Sequence, residues 1–277
     1  MPQPEIPLDG GSLLLAWQLK DKRVLIVGGG EVASTRIRSI LTTDALITVI
    51  APSTGLHPDT KFYIENCSRI TYIDNVFSGK DDLQGMDLVL TAIDDNEWSQ
   101  RICTMCRVLK IPVNVADVPN LCDFYFGSQI RRGPLQIMVS TNGNGPKLAN
   151  LIKRRIEECL PEEVEIAVER VGQLRAMLRT RAPGVGGELG KKRMRWMTSV
   201  SLQWPLESLA KLDATKMEML LDQGWAQNRV PKPEELSCGV AAKVSPPAEA
   251  STFVPLVLGF TAGVFSTVAL FFWGHRR

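Results

Sequence analysis

The sequence predicts an α/β fold in which a parallel sheet at the N-terminal end is followed by a β-rich segment, a helical unit and a C-terminal transmembrane helix. Three observations lead there. Short apolar runs alternate with helical spacing from Arg23 to Val115, a triple-glycine turn joins the first of these runs to a helix, and residues 254–273 are almost wholly apolar. Strands that alternate with helices pair in parallel and are covered on both faces.

In chain order, residues 12–19 and 23–27 read as two strands joined by the polar turn Lys20-Asp21-Lys22, the second of them opening the parallel sheet. A helix over about 31–41 comes next, then strands at 46–50, 70–73 and 87–92, a helix over about 96–109 and a strand at 111–115. There the alternation stops. Residues 124–126 and 135–140 read as β-segments around the turn Arg131-Arg132-Gly133-Pro134. Apolar residues at helical spacing predict helices over 148–160, 163–181 and 213–223, with a loop at 184–190. Residues 237–251, rich in Pro, Ala and Ser, read as a flexible linker. The apolar stretch 254–273 matches the about 20 residues that cover the ~30 Å hydrocarbon core, and Pro255 falls near its start, where proline is tolerated. A buried C-terminal core helix is the alternative reading of that stretch.

The 277 residues, 44% of them hydrophobic, suffice for a full α/β domain plus a smaller unit. Lys and Arg number 32 against 30 Asp and Glu, a balance that excludes nucleic-acid binding driven by bulk charge. The six cysteines, at 67, 103, 106, 122, 159 and 238, form no paired framework, and no signal peptide precedes the first strands. Free thiols in a reducing, cytosolic setting are the expectation. Cys103-x-x-Cys106 falls within a predicted helix, has no second ligand pair, and is joined in the whole chain by only two histidines, His57 and His275, so no metal site is expected.

Gly28-Gly29-Gly30-Glu31-Val32-Ala33 directly follows the strand 23–27. This is the strand, tight turn and helix start of a Rossmann dinucleotide site. Gly28 permits the sharp turn, Gly30 lets backbone approach the pyrophosphate, Ala33 keeps helix and strand close, and the helix N-terminus offers unpaired N–H groups. A plain βα loop is the alternative. The acidic residue that the fingerprint places ~20 residues on is absent, because the strand 46–50 runs into Ala51-Pro52-Ser53 with neither carboxylate nor Arg at its tip. The ribose would fall to the backbone of Pro52 and Ser53 and the Ser53 hydroxyl, which leaves NAD against NADP open on the residues alone. Three loops meet at the carboxyl edge of the sheet: 28–32, 51–53 and 92–95. The candidate cofactor residues are accordingly Gly28, Gly29, Gly30, Glu31, Val32, Pro52, Ser53, Ala92 and Asp94.

Beyond the sheet stand Asn114-Val115-Ala116-Asp117, Cys122-Asp123-Phe124-Tyr125-Phe126 and Ser140-Thr141-Asn142-Gly143. Together with the triple-glycine turn, these stretches resemble the fungal bifunctional precorrin-2 dehydrogenase/sirohydrochlorin ferrochelatase family and the matching module of bacterial siroheme synthases, over about residues 12–224. The resemblance implies NAD-dependent oxidation of precorrin-2 to sirohydrochlorin, then insertion of ferrous iron, as a substrate, to give siroheme. It also implies a homodimer. On this basis the chain divides into an NAD-binding Rossmann domain (1–113), a dimerisation and active-site segment (114–145), a helical substrate domain (146–236), a linker (237–252) and a transmembrane tail anchor (253–273). The catalytic part is expected in the cytosol, anchored to the mitochondrial outer membrane or the endoplasmic reticulum.

Asp117 lies just past the strand ending at Val115, on the cofactor edge, where a carboxylate reaches a bound macrocycle. The resemblance implies that it is the general base of both steps; an Asx-turn ahead of Pro119 is the alternative. Asp123 is the second carboxylate, or a residue that only fixes the local backbone. Thr141 stands where the bacterial module has a serine close to the cleft, and with Asn142 it precedes a helix beginning near Pro146, a setting that favours an anionic group. Helix capping by Asn144 is the alternative there. The resemblance implies a polycarboxylate substrate, which calls for local cations, and Arg131, Arg132, Lys147, Arg154 and Arg155 are candidates, Arg131 and Lys147 first; for any one of them taken alone, solvated surface charge is the favoured reading. Two rival functions remain: a dehydrogenase without chelatase activity, and a membrane-tethered dinucleotide or tetrapyrrole sensor without turnover.

Overall fold

Arg23–Val27 is wholly apolar after its first residue and β-branched at Val24, Ile26 and Val27, the composition of a strand covered on both faces. In the computed structural model, which describes residues 11–237, it is β1, the centre of a five-stranded sheet. With β2 (Leu46–Ile50), β3 (Ile70–Ile73), β4 (Leu88–Thr91) and β5 (Val113–Val115) it forms the order β3-β2-β1-β4-β5. Every pairing is parallel.

Alternation of side chains along β1 supplies two cores. Val24 and Ile26 join Ala33, Ile37 and Ile40 of α1 (Glu31–Leu41), with Tyr63 and Ile64 of α2 (Pro58–Asn66) packed against them. On the opposite face Leu25 and Val27 join Ile102, Cys103 and Cys106 of α3 (Asn96–Val108). The Cys-x-x-Cys pair is thus core packing, and burial pushes the Cys106 thiol up to about 12. Apolar spacing does not predict α2, in which Thr60 is the one buried residue; its start is set by His57, whose ring accepts the Asp59 N–H, and by Pro58 in the first turn.

Residues 12–19, expected as a strand, form none. Both hydrogen-bonding edges of β1 are already taken by β2 and β4, so a preceding strand has no edge to pair with. Leu13, Leu14, Leu15 and Trp17 stay exposed, whereas Leu19 is buried in the α1 face. Residues 124–126 form no strand either; Phe124 and Phe126 instead meet edge to face, 5.7 Å between centroids, against that same core. The β-structure that follows is the antiparallel hairpin of β6 (Ser128–Arg132) and β7 (Leu135–Val139), turned by Gly133 at φ +53°.

The helical part comprises α4 (Pro146–Cys159), α5 (Val164–Arg181), α6 (Gly187–Gln203), α7 (Leu206–Ala210) and α8 (Ala214–Leu220), closed by a π-turn at Leu221–Trp225. It packs through Leu174 and Leu178 of α5 and Trp196 and Val200 of α6, all buried. Trp196 donates its indole N–H to the Arg229 carbonyl at 2.8 Å, and Arg181 ties α5 to Glu218 and Asp222. Helix α6 begins inside the stretch expected as a loop, because Gly186 and Gly187, both at positive φ, form its entry and mask it in the sequence. The chain divides into two units, residues 1–230 and 231–277; among the described residues the second holds the short helix α9 (Pro233–Ser237).

The expected transmembrane helix is overturned: no helix among the described residues is long and apolar enough to cross a membrane. The longest, α5, has 18 residues and carries Glu165, Glu169, Arg170, Arg175, Arg179 and Arg181, whereas a span needs about 20 predominantly apolar ones. The membrane anchor and the membrane localisation built on it fall with that helix. The stretch on which they rested, 253–273, lies outside the described residues.

Ile26 is fully buried at the centre of the sheet. Ile26→Ala should lower the unfolding free energy by about 2–5 kcal/mol in urea denaturation; an unchanged transition would contradict this placement of the core.

Candidate functional site

Hydrogen bonds continue past the strand tips at the carboxyl edge of the sheet. The N–H of Gly28 reaches the Ile50 carbonyl at 2.9 Å, that of Ala92 the Val27 carbonyl at 2.8 Å, and that of Ala116 the Thr91 carbonyl at 2.9 Å. Gly28, Ala92 and Ala116 are thereby aligned across the edge where the strand order reverses, which is where open α/β sheets take their ligands.

The three glycines have different tasks. Gly28 has φ +117°, and a Cβ there would lie 2.1 Å from the Ala92 carbonyl oxygen, so no other residue fits. A Cβ on Gly29 would meet Leu56 Cδ2 at 2.6 Å and Ala51 Cβ at 2.9 Å, while one on Gly30 would meet nothing within 4 Å. Open space therefore lies in front of α1, whose N-cap, Gly30, provides no side-chain cap for the first N–H groups. Such an uncapped helix start facing a free volume fits the pyrophosphate of a dinucleotide.

A cleft of about 970 Å³ occupies this edge. Gly28, Gly29, Gly30, Glu31, Val32, Pro52, Ala92 and Asp94 line it. Ser53 is not among the lining residues; its N–H is bound by Asp74 Oδ1 at 2.7 Å. A carboxylate does stand near the tip of β2, contributed by the residue after β3. The Ser53 hydroxyl and N–H hold the Asp74 carboxyl below its ordinary value, with the Tyr72 hydroxyl adding to them. Sequence reading misses Asp74 because the fingerprint looks along β2, whereas the neighbouring strand delivers the charge.

Asp117 follows Ala116 and adopts φ +60°, a left-handed conformation that Asp tolerates better than most residues. Its carboxylate makes no hydrogen bond or ion pair with the described residues, so the Asx-turn is not formed. Asp117 lines the cleft and also a side pocket of about 260 Å³. The side pocket brings in Arg36 from α1, Asn114 from β5, Cys122, Phe126 and Thr141. Burial pulls the Arg36 guanidinium below its usual range, opposed by Cys122 and Asp117.

Thr141 Oγ1 accepts the Gly145 N–H at 3.1 Å, and the Asn144 amide donates to the Thr141 carbonyl at 3.0 Å. Asn144 thus closes the loop, while Gly145 is the N-cap of α4. Asn142, at φ +50°, accepts from the Ser12 hydroxyl and lies outside the pocket lining. Asp123 clips β5 from beyond its end: Oδ2 accepts the Val113 N–H at 3.0 Å and Oδ1 pairs with Arg107 at 3.3 Å. Arg131 donates to the Thr42 carbonyl at 3.4 Å and lines a different cavity; Lys147 is exposed at the start of α4 and lines neither the cleft nor the side pocket.

Residues 15–128 match the family model described as putative NAD(P)-binding, residues 132–158 that of the sirohaem biosynthesis protein central region, and residues 161–231 its C-terminal region. A siroheme biosynthesis protein of Schizosaccharomyces pombe is 44% identical over 235 residues, 85% of this chain and 87% of that one. The siroheme biosynthesis protein of the same name from Saccharomyces cerevisiae is 30% identical, covering 74% and 88%. The siroheme synthase of Methylococcus capsulatus is 37% identical over 60% of this chain, which spans 34% of that protein. In fold, the chain is similar to the solved structure of SirC, precorrin-2 dehydrogenase, with TM-score 0.54 at 22% identity over 76% of this chain and 98% of the other.

The unequal space around the glycines makes a direct test. Gly28→Ala should impair folding, whereas Gly30→Asp should fold normally and weaken dinucleotide binding by about tenfold or more in calorimetric titration. A Gly28→Ala protein as stable as the parent would remove the close contact with Ala92.

Proposed function

This chain belongs to the siroheme biosynthesis protein family, and from that membership we propose that it oxidises precorrin-2 to sirohydrochlorin with NAD and then inserts ferrous iron to give siroheme. One observation supports placing both steps at one site: Asp117 is the titratable residue common to the dinucleotide cleft and the side pocket. The cleft residues Gly28 to Val32, Pro52, Ala92 and Asp94 are the proposed NAD contacts; bound there, NAD supplies a two-electron acceptor. Ser53 contributes at one remove, by holding Asp74. A carboxylate near the β2 tip, with no Arg beside it in sequence, supports NAD over NADP, since a 2′-phosphate would meet like charge.

Asp117 takes the proton that precorrin-2 loses together with its hydride. Chelation needs the same service, because ferrous iron enters only as pyrrole N–H protons leave. Among the described residues the Asp117 carboxylate has no hydrogen-bond or ion-pair partner to compete for it, and its exposure lets each proton pass on to water. Thr141 is the proposed substrate contact on the far wall of the side pocket, whereas Asn142, Asp123, Arg131 and Lys147 act on substrate only if the chain rearranges or a second copy approaches.

A homodimer is part of this proposal. Helix α4 leaves Leu148, Leu151 and Ile152 exposed at i, i+3 and i+4, one face of the helix. The division into an NAD-binding part (1–113), a dimerisation and active-site segment (114–145), a helical substrate part (146–236) and a linker (237–252) is the organisation we propose.

Asp117→Asn should cut NADH formation from precorrin-2 by roughly 10²–10⁴-fold and slow iron insertion into preformed sirohydrochlorin, with NAD affinity unchanged. Near-normal rates of both steps in the folded variant would remove the shared base. In sedimentation, the parent should have twice the 30.6 kDa chain mass and Leu151→Asp should shift it towards monomer; a parent that sediments as a monomer would refute the dimer.

A further inference from the structure

Arg36 is the one Lys or Arg among the residues lining the side pocket, and it is half-buried. Its Cζ sits 4.4 Å from the centroid of the Phe126 ring. Among the described residues its guanidinium makes no hydrogen bond or ion pair; Asp117 and Cys122 act on it electrostatically without reaching bonding distance. A guanidinium carries five donors in a planar fork, and withdrawing it from water without an oxygen partner is costly. A ligand that brings carboxylate oxygens to the fork satisfies it. Tetrapyrroles with acidic side chains carry such oxygens.

We propose that Arg36 is the carboxylate anchor of the side pocket: its fork, steadied on the Phe126 ring, binds a side-chain carboxylate at the rim of the tetrapyrrole and so fixes the ring beside Asp117. This rests on the siroheme reading and adds to it the residue that selects an acidic macrocycle. No lysine substitutes fully, because an ammonium lacks the planar two-point geometry.

The test uses the full chain with Arg36→Gln and Arg36→Lys. Steady-state rates are measured with precorrin-2 and NAD, sirohydrochlorin binding by its absorbance, and NAD binding by calorimetry. In Arg36→Gln, KM for precorrin-2 and Kd for sirohydrochlorin should rise about tenfold or more, the loss of a charge-assisted hydrogen bond, while kcat and NAD affinity change far less. Arg36→Lys should recover part of the affinity. Parent-like KM and Kd in Arg36→Gln would overturn the assignment. So would a fall in kcat with a displaced pH profile at unchanged KM, which would mean that Arg36 works only through Asp117. If Arg36→Gln does not fold, Arg36→Lys decides: weakened sirohydrochlorin binding supports the fork, and parental affinity overturns it. A parent protein that neither binds sirohydrochlorin nor turns over precorrin-2 would refute the siroheme reading itself, whereas an active parent with an indifferent Arg36→Gln refutes the anchor alone.

Discussion

The contact between Gly28 and the Ala92 carbonyl is the constraint on which the rest of the site depends. At 2.1 Å from that oxygen a Cβ has no room, so the chain leaving β1 crosses directly over the end of β4. This close crossing lets the backbone bonds run on beyond the strands, from Ile50 through Gly28 and Val27 through Ala92 to Thr91 and Ala116. The last of these bonds places the residue after Ala116. The position of Asp117 is thus inherited from the packing of a glycine on a different strand.

Asp117 then turns out of the sheet at φ +60° and faces both cavities. An acidic residue here combines two properties: it enters the left-handed region at modest cost, and its side chain can accept a proton. The neighbouring carboxylates are engaged differently. Asp123 is committed to Val113 and Arg107, Asp95 caps α3 through the Trp98 N–H, and Asp74 is held by Ser53. Three carboxylates hold structure; of the acidic residues that line the cleft, Glu31, Asp94, Asp95 and Asp117, only Asp117 also lines the side pocket.

The sheet was legible because each of its strands is short, apolar and separated by a helix or turn, and because the glycine turn fixes which strand comes first. The bounds expected for β2 and β3 coincide with those in the structure. Elements without a periodic apolar stripe were not legible. Helix α2 is defined by its cap and α6 starts behind two glycines, while residues 12–19 look like a strand but meet a sheet with no vacant edge beside β1. The chemistry divides in the same way. Asp117 and the glycines are contiguous with strand ends, so their place follows from the sequence, whereas Arg36 and Asp74 come to the site from elements distant in the chain. The apolar stretch 254–273 satisfied a composition rule, but composition alone did not establish a span.

The central claim is that one carboxylate serves a dinucleotide cleft and a macrocycle pocket that share a wall. A crystal structure of the protein with NAD and sirohydrochlorin bound tests it most directly. The account predicts the nicotinamide in the cleft between Gly28 and Asp94, the macrocycle edge in the pocket of Arg36 and Thr141, and the Asp117 carboxylate at hydrogen-bonding distance from a pyrrole nitrogen. Sirohydrochlorin bound elsewhere, with Asp117 facing only solvent, would contradict it.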